Sequence, residues 1–405
     1  MNLLFLTSQW PYPPRQGGAL RVWGLIAALA PRHSISILSF GDPSAPCLLP
    51  PTMGHLSSAC CVPEPPHRPL RRRLRDLLFS RQPDMALRLE SPLFRRHLAE
   101  WLEREIFDAV HIEGIEMASY LDLLEQARPR PLIIFDDFNC EYLLQKRAFQ
   151  TDLRYLRRWP GALYSLIQWR RLRRYEADLC RRADHVVAVS AADAAALCRL
   201  VPGLNPTVIP NGVNVRAYDP QTPPAPGMQE GALVFTGKMD FRPNVDAVLW
   251  FVEDVLPRIL AHAPYVHFWV VGQQPHPRLF RLRHHPAVTL TGYVEDTRPY
   301  IAGATVYVAP LRIGGGTRLK LLEAMAMEKA VVATPLGAEG YEVRNGEELL
   351  LADDPETFAG AVLSLLAHPA RRAALGRAAR RFVEQFYDWS VLVPRIEHLY
   401  RSISI

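Results

Sequence analysis

The stretch TVYVAPLRIGGGTRLKLLEAMAMEKAVVAT, residues 305–334, carries the alternation that decides the fold class. TVYVAP (305–310) is an unbroken apolar run, the pattern of a strand buried on both faces of a parallel sheet. RIGGG turns the chain. TRLKLLEAMAMEK then opens a helix, with Thr317 the expected N-cap. AVVAT (330–334) returns to a buried strand. Strand, glycine loop, helix and strand in this order define an α/β architecture.

The alternation continues in both directions. The first half holds NLLFLT (2–7), SISILSF (34–40), DAVHI (108–112), LIIFD (132–136), HVVAVS (185–190) and TVIP (207–210). The second half adds ALVFTG (232–237), VHFWVVG (266–272), AVTLTG (287–292) and ELLLA (348–352). Each half therefore reads as a doubly wound, Rossmann-like sheet. The 405 residues suit two domains. The stretch 208–231, rich in Pro, Asn and Gly, is the expected seam. We place 1–210 plus 388–405 in one domain and 211–387 in the other. Residues 42–69 read as a long loop, and 388–403 as an amphipathic helix returning to the first domain. Open parallel sheets bind ligands beyond the carboxyl ends of their strands, so two sheets facing each other are expected to enclose a cleft.

Composition narrows the partners. The chain has 47 basic and 41 acidic residues, net +6, and only four lysines: Lys146, Lys238, Lys320 and Lys329. This mild excess suits anionic small molecules, an anionic membrane surface or nucleic acid. No RNA- or DNA-binding module is recognisable, which sets nucleic acid aside. The six cysteines, Cys47, Cys60, Cys61, Cys140, Cys180 and Cys198, contain no C-x-x-C pair. They read as free thiols in a reducing compartment, without zinc-site spacing. The start lacks the features of a signal peptide. No apolar run approaches the ~20 residues of a membrane span. A cytoplasmic protein is expected, with the inner face of the plasma membrane as a further place of action.

The glycine loop has a chemical logic. A helix N-terminus presents N–H groups and positive partial charge. Gly314, Gly315 and Gly316 remove side chains that would keep a ligand off the backbone. Arg318 and Lys320 add full charges suited to phosphate. Glu323, three residues beyond Lys320, shares its helix face and repels phosphate, so it must address hydroxyls. Phosphates and sugar hydroxyls together describe a nucleotide sugar. A flexible turn with a Lys320–Glu323 surface pair is the plainer reading. The string matches neither G-x-x-x-x-G-K-[ST] nor G-x-G-x-x-G, which disfavours P-loop and dinucleotide enzymes.

Several segments together resemble retaining glycosyltransferases of the GT-B fold, sequence family 4. They are residues 1–21, RRYEADLCRRADHVVAVSAADAAAL (173–197), VIPNGVNVRAYDP (208–220), FTGKMDFRPN (235–244), LTGYVED (290–296) and 314–340. The variants around 238 and 314 most resemble bacterial exopolysaccharide-associated sugar transferases. The resemblance implies that Glu323 meets the nucleotide ribose. The family's earlier acidic position falls at Gly315, so that contact to the donor sugar is missing. Lys238 matches the first of two diphosphate-facing basic positions. The second falls at Pro243, with Arg242 a substitute. Tyr293 and Val294 would pass the base. Gly17 and Gly18 would lie near the reacting centre, with Arg21 facing the cleft. The acceptor side is assigned to Asp137 first and Glu113 second, with His111 pointing into the core. No cofactor is expected beyond the nucleotide-sugar donor. The chain contains no D-x-D sequence, and no metal is expected. The acceptor would be a glycan or a polyprenyl-linked glycan.

Residues 151–182 hold nine arginines and three acids, interleaved with Tyr155, Trp159, Tyr164, Trp169 and Tyr175. An anionic membrane suits this pattern, as does a solvated helix with its rings packed inward. RRRLRDLLFSR (71–81) is a second basic amphipathic candidate. Two rival functions stay open: a nucleotide-sugar epimerase of the same fold, and a non-catalytic scaffold.

Overall fold

A computed structural model describes residues 1–14, 17–42, 44, 56–153 and 159–401. The chain forms two compact units, Met1–Pro210 with Val393–Ile405, and Asn211–Leu392. The first contains β1 (Asn2–Thr7), β2 (Ser34–Phe40), β3 (Ser58–Val62), β4 (Ala109–Glu113), β5 (Leu132–Asp137), β6 (His185–Ala188) and β7 (Thr207–Val208). The second contains β8 (Ala232–Thr236), β9 (His267–Val271), β10 (Val288–Gly292), β11 (Val306–Ala309), β12 (Val331–Ala333) and β13 (Leu350–Leu351).

Both sheets are parallel throughout. Their orders are β3-β2-β1-β4-β5-β6-β7 and β10-β9-β8-β11-β12-β13. In each, the winding direction reverses once, between β1 and β4 and between β8 and β11. Such a reversal parts the loops at the strands' carboxyl ends and opens a crevice there. The fold is GT-B.

Every apolar run named above forms a strand. One strand lies where a loop was expected. Within 42–69, SACCV forms β3 and pairs in parallel with β2. It is an edge strand with one neighbour, and only Val62 in it is buried. Small side chains therefore suffice, and no continuous apolar run marks it.

The closing helix runs from Trp389 to Arg401, and the division between the units falls inside it, at Val393. Its first turn packs on Gly212, where a Cβ would stand 2.8 Å from the Trp389 ring and from Leu392 Cδ1. Its later residues sit on the first sheet's support: Tyr400 Oη lies 2.7 Å from His111 Nε2, and Glu397 Oε1 lies 3.0 Å from His33 Nε2.

The helix Leu319–Ala326 buries Leu321, Leu322, Ala324, Met325 and Ala326. Helix Pro369–Phe386 approaches the turn that follows it through Gly376, where a Cβ would lie 2.0 Å from Glu328 O. We therefore expect Gly376→Ala to cost about 1–3 kcal/mol through overpacking. Gly360, in helix Pro355–Ala367 with nothing within 4 Å of an added Cβ, should tolerate alanine or gain from it. Denaturant melts of both variants check the contrast.

Candidate functional site

The second unit gathers its polar groups at the β8/β11 crevice. Gly237 follows β8 with φ +151, and a Cβ there would lie 2.6 Å from Lys320 Nζ and 2.8 Å from Asn244 Nδ2. Gly272 follows β9 with φ +152, and its Cβ would fall 1.7 Å from Gly237 O. Two bare strand ends thus pack together and leave room for one ammonium. Lys320 Nζ donates to Asn244 Oδ1 at 2.9 Å and stands 4.2 Å from the centroid of the Phe235 ring. Asn244 Nδ2 donates to Lys238 O at 2.8 Å. Burial first, and then the nearby Arg318 charge, lower the Lys320 pKa to about 7, with Glu323 opposing.

The glycine loop lies beside this ammonium. Gly314 and Gly316 hold φ of +111 and +77, a region that favours glycine. A Cβ on Gly314 would be 3.1 Å from Pro243 Cγ, so loop and helix Arg242–Trp250 touch closely. Arg318 Nη1 donates to Gly316 O at 2.6 Å and also to Gly315 O. Thr317 is not the N-cap. Arg318 holds that position, and no side chain caps the helix. The Thr317 hydroxyl instead accepts from Asn211 Nδ2, and its methyl fills the space left by Gly340. One turn on, Glu323 Oε1 accepts from the Tyr218 hydroxyl at 2.9 Å. Burial raises the Glu323 pKa, against Tyr218 and Lys320. Lys320 and Glu323 are therefore not a surface pair: each is only partly exposed and has its own neutral partner.

Other expected donor residues lie at the margin. Lys238 pairs with Asp240 at 3.4 Å. Arg242 is exposed and begins its helix. Tyr293 is exposed and Val294 half-buried, just after β10. The order β10-β9-β8 puts that strand two spacings, about 10 Å, from β8.

The first unit treats its crevice differently. Arg21 does not face outward. It is 2% exposed and grips Asp136 with two nitrogens, Nε to Oδ2 at 3.0 Å and Nη2 to Oδ1 at 2.8 Å. Its Nη1 donates to Ile209 O at 3.0 Å. The helix Gly17–Leu29 had to turn this arginine inward because Asp136 ends a buried strand and needs a counter-charge. Burial raises Asp136 to about 6, with Arg21 opposing. Glu113 ends β4 fully buried, and its carboxyl oxygens accept no hydrogen bond among the described residues. Burial raises it to about 8. His111 Nδ1 lies 3.5 Å from Glu113 Oε1, and its ring stacks on Phe5, inside the core as expected. Burial lowers His111 to about 4.

Asp137 is also buried, turned toward Cys140 and Glu176 rather than toward solvent. The ligand atoms of these three lie within 4.8 Å of one another. Glu176 accepts the backbone N–H groups of Glu141 and Tyr142 at 3.0 and 2.9 Å, so the cluster serves as a cap for helix Glu141–Leu153. Burial and the Glu176 charge raise Asp137 well above the carboxylate range. Gly17 is exposed, and Gly18 lies against the Phe138 ring.

Comparison with known proteins shows the fold to be GT-B and gives the family. Residues 15–217 match the family described as Glycosyltransferase Family 4, and 230–368 match Glycosyl transferases group 1. The chain belongs to glycosyltransferase family 4. A phosphatidyl-myo-inositol mannosyltransferase of Mycolicibacterium smegmatis is 29% identical to this glycosyltransferase over 322 residues, 77% of this chain and 76% of that protein. Sucrose-phosphate synthase from Thermosynechococcus elongatus superposes with a TM-score of 0.71 at 18% identity, covering 100% of this chain and 99% of the other. Anabaena Alr3699/HepE in complex with UDP and glucose gives 0.68 at 15% identity, covering 100% of both.

Sequence reasoning missed Asn244, Tyr218, Asn211 and the Gly237–Gly272 contact. One signal was present: β8, β9 and β10 each end in glycine, in FTGK, VVGQ and LTGY.

The buried Glu113 makes a pH prediction. Its folded pKa of about 8 exceeds the ordinary 4.5, so the folded state binds the extra proton between these values. Its contribution is complete below pH 4.5 and is lost as pH rises through 8. Glu113→Gln, a permanent mimic of the neutral acid, should gain on the wild type across that window. Thermal melts from pH 5 to 9 give the difference; a difference that stays flat with pH rejects a neutral Glu113.

Proposed function

We propose that this glycosyltransferase moves a hexosyl group, with retention and without a metal ion, from a nucleoside-diphosphate sugar to a glycan or lipid-linked glycan. Exopolysaccharide or cell-surface polysaccharide synthesis on the cytoplasmic side is the proposed setting. One observation carries the reading. At the β8/β11 crevice a lysine ammonium is held by an amide oxygen and a ring face, beside an uncapped helix start and a bare glycine loop.

That arrangement is built for an anion. The diphosphate would meet Lys320, the loop N–H groups of Gly314, Gly315 and Gly316, and Lys238 or Arg242 from the β8 side. Glu323 has one oxygen engaged by Tyr218; a carboxylate has two, and the second suits a ribose hydroxyl. Tyr293 and Val294, about 10 Å away across the sheet, suit the base. Fixed cations do the neutralising as the diphosphate departs, worth on the order of 10²–10³ in rate for each main donor.

In the transfer, the bond from the sugar C1 to the diphosphate oxygen breaks, and a bond to the acceptor oxygen forms on the same face. The acceptor's proton passes to the departing diphosphate. The burial of both Asp137 and Glu113 supports the diphosphate, rather than a side-chain base, as proton acceptor. The mannosyltransferase relative makes a mannosyl donor the first to test, beside UDP-linked hexoses.

A panel of UDP- and GDP-linked hexoses, screened by thermal stabilisation, tests donor binding. NMR of the product's anomeric proton then tests retention. Donor conversion without any acceptor would instead indicate epimerase chemistry, and no stabilisation by any donor a scaffold.

Lys320 also gives the binding a pH signature. Its pKa near 7 means the free ammonium is lost above neutrality. A sugar-linked diphosphate does not titrate there, so its affinity should fall as pH rises from 6.5 to 8.5. Lys320→Met should weaken binding by about 1–3 kcal/mol at pH 6.5 and flatten the dependence. Calorimetry at the two pH values decides. Equal affinity in wild type and variant rejects Lys320 as a phosphate contact.

A further inference from the structure

Asp136 and Asp137 end the same strand, and both are buried. Asp136 is answered by the Arg21 guanidinium. Asp137 has no such partner: its Oδ2 is buried and accepts no hydrogen bond among the described residues. After burial itself, the groups that most raise its pKa are Glu176, Glu141 and Asp193, all acids. A carboxyl group taken out of water among other acids must either keep its proton or receive a cation.

Two neighbours of Asp137 are metal-ligand types. Cys140 follows three residues on, just before helix Glu141–Leu153, and is 1% exposed. Glu176 comes from helix Trp159–Arg182 and is fully buried. One ligand atom from each of the three lies within 4.8 Å of the others. Zinc bonds of about 2.0–2.3 Å put tetrahedral ligands roughly 3.3–3.8 Å apart, so a closure of about 1–1.5 Å gathers them round an ion. Glu176 accepts two backbone N–H groups, but a carboxylate has about four lone-pair sites and keeps capacity for an ion.

A fourth donor is placed on the same helix. Cys180 stands one turn beyond Glu176, on one face with it, and is also buried. After burial, Asp137 and Glu176 are the groups that act most on its thiol. The outer end of this helix is different, with Trp159 and Leu163 exposed. Cys60, Cys61, Cys140, Cys180 and Cys198 are all free thiols. Cys47 lies outside the described residues, as does Tyr155. The spacing D-x-x-C in one segment and E-x-x-x-C in another explains why no C-x-x-C pair announces the cluster.

We propose that Asp137, Cys140 and Glu176, with Cys180 completing the shell, hold a divalent ion of the zinc class that ties the end of β5 to helix Trp159–Arg182. Mixed sulfur and carboxylate donors suit zinc, whereas magnesium and calcium take oxygen ligands. The ion supplies the positive charge that Arg21 supplies to Asp136, and it replaces the protons that burial otherwise keeps on Asp137 and Cys140. Its role is structural, since all four donors are buried. The inference goes beyond the sugar-transfer reading. Lys320 and the glycine loop belong to the second unit, so donor binding and zinc retention can fail independently.

The test is elemental analysis of the full chain after dialysis against zinc and desalting. About one zinc per chain is expected, with a melting temperature that zinc raises and a chelator lowers. Cys140→Ala and Cys180→Ala should each weaken retention about tenfold or more. Cys198→Ala, whose thiol instead donates to Leu204 O, should retain zinc as the wild type does. Cobalt in place of zinc should show thiolate-to-metal absorption and a tetrahedral spectrum, a readout on the wild type that serves even if a cysteine variant does not fold. The proposal is overturned if the wild type retains no stoichiometric zinc and cobalt gives no thiolate band, the result expected if Asp137 and Glu176 merely share a proton. It is also overturned if Cys140→Ala retains zinc like the wild type, or if Cys198→Ala loses it equally.

Discussion

A cation held by neutral groups is the constraint around which the second unit is arranged. The Lys320 ammonium sits between an amide oxygen and the face of Phe235, with the Arg318 charge nearby. An amide and a ring satisfy the geometry of an ammonium but compensate its charge poorly. Much of the local sequence follows from keeping it there. Gly237 must lack a side chain, because any Cβ would displace the ammonium. Gly272 must also be bare to let Gly237 take its position. Asn244 is fixed by its own bond to the Lys238 carbonyl, so the oxygen that receives Lys320 is oriented in advance. Under the proposed function, the donor's diphosphate would supply the charge that these neutral partners withhold.

The first unit has the same winding and the opposite electrostatics. Near its strand ends the chain buries an ion pair of its own, between Arg21 and the β5 residue Asp136. Arg21 and Asp136 are each 2% exposed, and the arginine's third contact is a backbone carbonyl. Glu113 beside them is best accommodated as a neutral acid, since burial raises it to about 8. A guanidinium so occupied has little left for an incoming phosphate. Two sheets of one topology thus differ in what their switch points can accept, and the difference lies in a few side chains rather than in the fold.

The strands were legible because a parallel sheet covered on both faces requires continuous apolar runs, bounded here by turn residues; the one long run that is helical, AVLWFV (247–252), lies inside a longer helical segment among the described residues. β3 escaped because an edge strand is exempt from that requirement. The grouping of Gly314, Arg318, Lys320 and Glu323 was legible because charge and glycine sit there in one short string at a strand-to-helix turn. Their partners were not, because Asn211, Tyr218 and Asn244 come from distant parts of the chain and carry no local signal. Orientation was the least legible property. Arg21, Asp136, Asp137 and Glu113 were all correctly assigned to strand ends or the helix that follows, yet all four are buried. A sequence period of two fixes which face of a sheet a residue takes, but at a strand end the next loop decides whether solvent reaches it.

Gly315 shows how one apparent loss can be a gain of another kind. A carboxylate at that position would stand next to the Arg318 guanidinium, which already bonds the Gly315 and Gly316 carbonyls. The two would pair, as close opposite charges do, and the pair would cancel much of the loop's positive potential. With glycine there, Arg318 donates to the Gly315 and Gly316 carbonyl oxygens, which orient its guanidinium. The loop itself then holds no carboxylate at that position. In the proposed reaction, a loop of this kind would serve the phosphate end of the donor more than its sugar end.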